Sequence, residues 1–200
     1  MRCSILLAFC LSAASCAATP DPQSSDAAWP VGVALPDVPL SLAPFDLVHA
    51  NWKQRMGLAY IYLEHHGDDR KAGARISELL AAAADQGAPI QGAPFLLFYD
   101  DPAVTPMDQL VTRVCIALES DFSARAPLYL DELPTEPVVY AAVGGPFPKV
   151  RRAYPGLMAY LAKRGWLARP PIREIYLTSP VGTPPEELVT EVQIPWVPGG

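Results

Sequence analysis

The chain has little charge and very little usable cysteine. Only 18% of its 200 residues are Asp, Glu, Lys or Arg. The basic side is the poorer one, with 15 Lys and Arg against 21 Asp and Glu and a net charge of −6. A surface short of positive charge excludes nucleic acid, whose phosphates demand a basic face. Of the four cysteines, Cys3, Cys10 and Cys16 lie in or beside the first 18 residues, which leaves Cys115. One cysteine closes no intramolecular disulfide, so a disulfide scaffold is excluded, and Cys115 reads as a small hydrophobe in the apolar run 111–118. The chain also lacks a glycine-rich phosphate loop and a GxSxG elbow. Apolar residues, by contrast, make up 50% of it, so it can build a core and is not a disordered chain. Proline is in excess, 23 residues spread without collagen spacing, and marks turns and strand edges.

The start of the chain reads as a leader. Met1–Arg2 is positive, and Cys3 to Ala14 is apolar but too short for a bilayer, which takes about 20 residues. Ser15-Cys16-Ala17-Ala18 supplies small residues for cleavage, so residues 1–18 have the proportions of a secretory signal peptide. Two outcomes compete. Cleavage near Ala17 or Ala18 releases a soluble protein into the periplasm or envelope of a bacterium. Alternatively Cys16 becomes the lipidated first residue of a lipoprotein, and the membrane is met only through that anchor. The leucine usual three positions ahead of such a cysteine is missing. Residues 19–40, rich in Pro, Ser, Ala and Asp, read as a tether. The sequence leaves open whether its Trp29 docks on the domain.

The most informative feature is an internal repeat at an offset of 78 residues, with no gap. Tyr62 falls on Tyr140, Gly67 on Gly145, Lys71 on Lys149, Leu79 on Leu157 and Gly87 on Gly165. Further on, Pro102 falls on Pro180, Pro106 on Pro184, and Leu110-Val111-Thr112 on Leu188-Val189-Thr190. The agreeing glycines and prolines set turn geometry. Each copy reads strand–helix–strand–strand. Strands are expected at 57–64 and 137–143. Asp68 and Asp69 suit the N-terminus of the first helix. Its apolar stripe is Ala72, Ile76, Leu79, Leu80 and Ala83, closed by Gly87. The second stripe is Val150, Tyr154, Leu157, Met158 and Leu161, closed by Gly165, with Pro155 expected to kink this helix or start it late. Strand pairs follow at 94–99 with 110–118, and at 172–177 with 188–194. The expectation is an α+β domain over 41–200, with modules at about 41–120 and 121–198 that share one core, because 78 residues are few for two. A groove between modules is then the natural ligand cleft.

The repeat also singles out Glu174, which falls on Leu96. One copy has the apolar strand Phe95-Leu96-Leu97-Phe98. The other puts a carboxylate in the same slot, flanked on its face by Ile172 and Tyr176. A carboxylate there is costly unless something pairs with it. Either it faces solvent or pairs with Arg173 or Lys149, or it anchors a cationic or hydrogen-bonding ligand between aromatic walls.

Phe98-Tyr99-Asp100-Asp101-Pro102 in the first copy belongs to a recognisable pattern. So do Gly145-Pro146-Phe147, Arg173-Glu174-Ile175-Tyr176-Leu177, Pro180, Pro184, Glu187-Leu188 and Thr190-Glu191-Val192 with Ile194-Pro195 in the second. On these residues the chain resembles the GyrI-like small-molecule-binding fold, also seen as the effector domain of AraC- and MerR-type multidrug regulators and related in fold to haem-binding SOUL proteins. The resemblance covers about residues 40–198. It implies two strand–helix–strand–strand modules around a ligand cleft, and a glutamate that holds lipophilic cations, here Glu174 with Tyr176 beside it. Tyr60, Tyr62, Phe98, Tyr140, Phe147 and Trp166 are candidate walls, each equally suited to plain core packing. Because a leader takes the place of a DNA-binding domain, a role in transcription is not expected.

The resemblance implies two alternatives to a binding protein. One is a stand-alone hydrolase of reactive small molecules, with Glu174 as general base and Tyr176 or Tyr140 assisting. The other is a tetrapyrrole carrier, with His49 as the candidate ligand. Otherwise no cofactor is expected. His65-His66 beside Asp68-Asp69 lacks a convincing third ligand, so no metal is expected either. Lys149-Val150-Arg151-Arg152 reads as a solvated face.

Overall fold

The computed structural model describes Trp29 and residues 37–200. The leader, Cys16 and most of the tether lie outside the described residues. The chain runs β1 (Ala50–Arg55), β2 (Leu58–His66), α1 (Ile76–Asp85), β3 (Ile90–Phe98), β4 (Val111–Leu118), β5 (Tyr129–Leu133), β6 (Glu136–Gly144), α2 (Tyr154–Ala162), β7 (Trp166–Ala168), β8 (Ile172–Tyr176) and β9 (Val189–Pro198). A 3-10 turn leads into each helix, at Asp69–Arg75 and Phe147–Ala153. All strand pairings are antiparallel, in the order β1-β6-β9-β8-β3-β4-β2-β5, with β7 added on β9. The two ends of that order belong to one ladder. β1 and β2 run almost continuously against β6 and β5, from Ala50 opposite Ala141 to Tyr62 opposite Tyr129. The sheet therefore curls back on itself.

Alternation along the strands sorts the core. Directly opposed residues of an antiparallel pair share a face. The row Leu63, Val114, Leu96, Glu174, Val192, Ala141 crosses the sheet on the face the helices cover. The α1 residues Ile76, Leu79, Leu80 and Ala83 pack there on Ile61, Leu63 and Leu96. Leu157 and Leu161 of α2 pack on Val139, Ala141, Val192 and Ile194. The opposite face gathers Tyr60, Tyr62, Phe95, Leu97, Cys115 and Leu133. Cys115 is fully buried among them, a thiol pushed well up by loss of hydration.

Local chemistry explains the boundaries. The Asp68 carboxylate accepts from the Arg70 N–H and caps the first turn. Pro155 sits in the first turn of α2, where its missing N–H costs nothing, and so starts that helix late. Both helices end in glycines with positive φ, Gly87 at +65° and Gly165 at +68°. Several hydrogen bonds recur 78 residues on: Gly67 N–H to Leu110 O and Gly145 N–H to Leu188 O, then Gln109 N–H to Pro106 O and Glu187 N–H to Pro184 O. Strands β1, β5 and β7 go beyond the expected elements. They lie at the edges, and β1 (ANWKQR) and β5 (YLDEL) carry too much polar surface to show an alternating pattern.

Gly156 gives a test of the packing beneath α2. Alanine in a helix is normally worth about 1 kcal/mol over glycine. A Cβ at position 156 would lie 2.5 Å from both Cβ and Cγ2 of Val48, against which the helix is pressed. Gly156→Ala is therefore expected to lower stability by about 1–3 kcal/mol in urea unfolding. A stability equal to or above that of the unaltered chain would show that Val48 does not pack there.

Candidate functional site

The site lies over the middle of the helix-covered face, where β3 and β8 meet. Leu96 and Glu174 stand directly opposite each other in that pairing. Helix α1 with its 3-10 turn, the 3-10 turn before α2, and the loop after β8 wall a cavity of about 670 Å³. A second cavity of about 490 Å³ adjoins it and shares Asp69, Phe98 and Arg151. These volumes suit a drug-sized molecule. Ile76, Leu80 and Leu96 give the first cavity apolar walls, and Phe147 packs on Tyr176 with ring centroids 4.4 Å apart.

Glu174 is the polar centre, only 3% exposed. The Tyr154 hydroxyl donates to its Oε1 at 2.7 Å, and the Tyr176 hydroxyl donates to its Oε2 at 3.0 Å. Burial lifts the Glu174 carboxyl above its ordinary value, against the opposing pull of the Tyr154 hydrogen bond and the Arg151 charge. Both phenols are pushed well up by burial and by the carboxylate beside them, so they stay protonated as donors. Arg151 divides its charge. Its Nη1 pairs with Asp69 Oδ2 at 2.8 Å, while its Nε stands 4.0 Å from Glu174 Oε1. Its guanidinium also lies 4.5 Å over the Phe98 ring. Asp69 comes from the turn before α1 and Arg151 from the turn before α2, so this pair ties the two halves together at the cavity wall.

Of the residues expected from sequence, Glu174, Tyr176, Phe98 and Phe147 meet here. The structure corrects the other four walls, because none of them lines either cavity. Tyr60 and Tyr62 alternate with Ile61 and Leu63 along β2, so their side chains fall on the opposite face. There Arg113 donates to the Tyr60 hydroxyl at 2.8 Å. Tyr140 lies one residue out of step with Val139 and Ala141 for the same reason. It donates to Asp37 and lies under the Lys53 ammonium, 4.1 Å from its ring. Trp166 is in β7, stacked on Trp196 with centroids 3.6 Å apart. His49, the candidate haem ligand, also lines neither cavity, and its N–H donates to Ser41 Oγ. Lys149 and Arg173 do not partner Glu174; Arg173 points the other way. Arg151 is half-buried and paired with Asp69 rather than part of a wholly solvated face.

Tyr154, Arg151, Asp69 and Trp29 were not expected at the site. Trp29 packs against the core cluster that includes α1 and lines the larger cavity. A signal for two of the others was present. At the offset of 78, Tyr154 falls on Ile76, Asp69 on Phe147 and Tyr176 on Phe98, just as Glu174 falls on Leu96. All of these except Tyr154 line the larger cavity, and Tyr154 lines the smaller one. These positions, where one member of an offset-matched pair is more polar than the other, thus trace the site.

A curled antiparallel sheet with two helices on one face, and a cavity between them built on a buried carboxylate, defines a small-molecule-binding domain of the α+β class. The model of the GyrI-like small molecule binding domain matches residues 53–197, and the chain belongs to that family. No curated protein matches it significantly. The C-terminal domain of EcmrR has the same fold, with a TM-score of 0.68 at 19% identity over 76% of this chain and 99% of that one. A hydrolase encoded by lin2189 from Listeria innocua has a TM-score of 0.57 at 12% identity, covering 74% of this chain and 91% of that one. SAV2435 bound to tetraphenylphosphonium has a TM-score of 0.51 at 18% identity, covering 74% and 94%.

Proposed function

We propose that this protein captures a lipophilic organic cation in the larger cavity, with Glu174 as its anchor. One observation carries the reading: a carboxylate 3% exposed, inside a cavity with aromatic walls, held by two phenols and facing a cation already engaged by Asp69. The net charge of Asp69, Arg151 and ionised Glu174 is negative, and a cation entering between Phe147, Phe98 and Trp29 would neutralise it and gain cation–π attraction. SAV2435, of the same fold, is seen with such a cation, tetraphenylphosphonium. Calorimetric titration of the chain with tetraphenylphosphonium is expected to give saturable one-to-one binding. Equal or tighter binding of a neutral compound of the same shape would overturn the charge assignment.

Trp29 supplies an optical readout. It is the tryptophan at the cavity, while Trp52, Trp166 and Trp196 form a separate aromatic cluster. Ligand-induced change in tryptophan fluorescence is expected to vanish in Trp29→Phe and to persist in Trp166→Phe. The reverse pattern would move the ligand to the other cluster.

A hydrolase would use the same carboxylate as a base, which its raised pKa favours. Both Glu174 oxygens already accept a phenol O–H, and this favours holding over turnover. Loss of substrate catalysed by the chain would reverse that preference. We further propose that the protein works after export, its first 18 residues removed or Cys16 lipidated. The mass of the mature N-terminus from a cell-envelope fraction distinguishes the two. We read the offset of 78 as an internal duplication, supported by the recurring hydrogen bonds at the glycine turns.

A further inference from the structure

The cavity of about 490 Å³ beside the larger one takes no part in the reading above. Its walls repeat those of the larger cavity at the offset of 78. Ile76 and Leu80 of α1 line the larger cavity, and their offset partners Tyr154 and Met158 of α2 line the smaller. Ser179 and Pro180, in the loop after β8, wall the larger cavity. Asp101 and Pro102, in the loop after β3, take the same places at the smaller. The two cavities are matching lobes set on the two helices, with the β3–β8 pairing between them.

The lobes meet at Glu174 and Arg151. Tyr176, which donates to one Glu174 oxygen, lines the larger cavity, and Tyr154, which donates to the other, lines the smaller. Arg151 lines both. Its offset partner is Gly73, where an added Cβ would meet nothing within 4 Å. A long cationic side chain therefore stands at the junction on the α2 side, while the matching place by α1 is open. The lobes differ in chemistry as well. Met158, Ile172 and Pro170 give the smaller one apolar wall. Its carboxylates serve their own loop: Asp100 Oδ2 accepts the Val111 N–H at 2.9 Å, and Asp101 Oδ1 accepts the Ala103 N–H at 2.8 Å. The Tyr154 hydroxyl is spent on Glu174, and the Arg151 guanidinium on Asp69. What these groups leave for a guest is apolar surface.

We infer that the smaller cavity is a second lobe of the same site and takes the apolar tail of an elongated amphipathic cation, whose charged head sits at Glu174 and whose tail passes Arg151. The inference rests on capture of a cation by Glu174 and narrows the ligand class: a head of the tetraphenylphosphonium kind that carries an apolar extension. Met158 suits such a tail, because an unbranched thioether moulds itself to varied guests. Each methylene that leaves water there adds affinity that the larger cavity alone does not supply.

Methyltriphenylphosphonium and decyltriphenylphosphonium share a head and differ in tail. Calorimetric titration of the unaltered chain, with the decyl compound below its micellar concentration, is expected to show one-to-one binding of both, the decyl compound at least about 30-fold tighter. Met158→Trp fills the smaller cavity from α2, and Ala168→Trp fills it from β7. Both positions are exposed, so neither change disturbs the buried core. Either should cut the decyl advantage to below about threefold and leave the affinity for the methyl compound unchanged. A decyl tail ending in a diazirine should label residues 154–172 on irradiation, a measurement that needs no variant. Equal affinities of the two compounds for the unaltered chain would overturn the inference and leave Glu174 standing as the anchor. So would a decyl advantage that survives both tryptophans, tryptophans that weaken both compounds equally, or label confined to α1 and residues 179–181. Tighter binding of a ten-carbon tail that ends in trimethylammonium would overturn it too, by giving the smaller cavity to a second cation. Failure of both compounds to bind the unaltered chain would overturn the inference together with the reading beneath it.

Discussion

Glu174→Gln is expected to weaken binding of tetraphenylphosphonium at least about 30-fold, a loss of about 2 kcal/mol, while the folded chain becomes more stable near neutral pH. The two effects share one cause. The carboxylate is buried and its two hydrogen bonds come from neutral phenols, so its charge is only partly compensated. Glutamine keeps the shape and can still accept a phenol hydrogen bond, but it offers a cation no charge. A residue retained only for packing would show little change in affinity, and a residue whose ion pair held the fold together would show a loss of stability. Gain of stability with loss of affinity is the pattern of a group kept for binding.

The pH dependence follows from the same burial. The folded chain holds the Glu174 proton more tightly than the unfolded chain, because burial raises this carboxyl above its ordinary value of 4.5. Below that ordinary value both states are protonated at this residue. As pH rises towards the folded value, the unfolded chain ionises first and the native state loses relative stability. Glu174 thus contributes a stability that falls from about pH 4.5 upward, and Glu174→Gln should remove that slope. Affinity for the cation runs in the opposite direction. It should climb with pH as the carboxylate ionises and then level off, and binding should release a proton on the rising part. Calorimetry in buffers of different ionisation enthalpy measures that proton. An affinity flat from pH 4 to pH 8 would place the anchor elsewhere.

Much of this architecture could be read before the structure because the same glycines, prolines and apolar positions recur at an offset of 78 residues. The glycines at 67, 87, 145 and 165 each have a positive φ, and prolines such as Pro155 mark where an element starts, so such residues constrain turns wherever they occur. The stripes of α1 and α2 show because each helix buries one face only. Edge strands β1 and β5 did not show, since a strand with two partly solvated faces needs no alternation. The site was half legible. Glu174 and Tyr176 share one short motif on β8, Phe98 lies on the neighbouring β3, and Phe147 packs on Tyr176 from the turn before α2. Tyr60, Tyr62 and Tyr140 fail on parity: in a sheet with two buried faces an aromatic residue is welcome on either. Arg151 and Asp69 fail for another reason. Each reads as a surface charge in its own segment, and only the fold brings them together across 82 positions.

Their pairing predicts the second large effect. Arg151→Met should lower stability by about 2 kcal/mol, reduced from the cost of breaking a fully buried pair because the Arg151 side chain is 31% exposed. The loss arises less from the missing attraction than from what is left behind. Asp69, 7% exposed, would keep its charge without a partner, and Glu174 would lose its nearest cation. The apparent pKa of Glu174, followed by the pH dependence of ligand binding or by carboxyl resonances, should therefore rise further. The double variant Asp69→Asn/Arg151→Met should recover most of the stability, since it leaves no orphaned charge at position 69. Of the buried triad the cavity then keeps only Glu174, with Arg70 at the wall already paired to Asp68. If cation capture rests on Glu174 alone, this double variant binds tetraphenylphosphonium at high pH at least as well as the unaltered chain, because the rival cation Arg151 is gone. If it binds more weakly there, the Asp69–Arg151 pair has a direct part in holding the ligand.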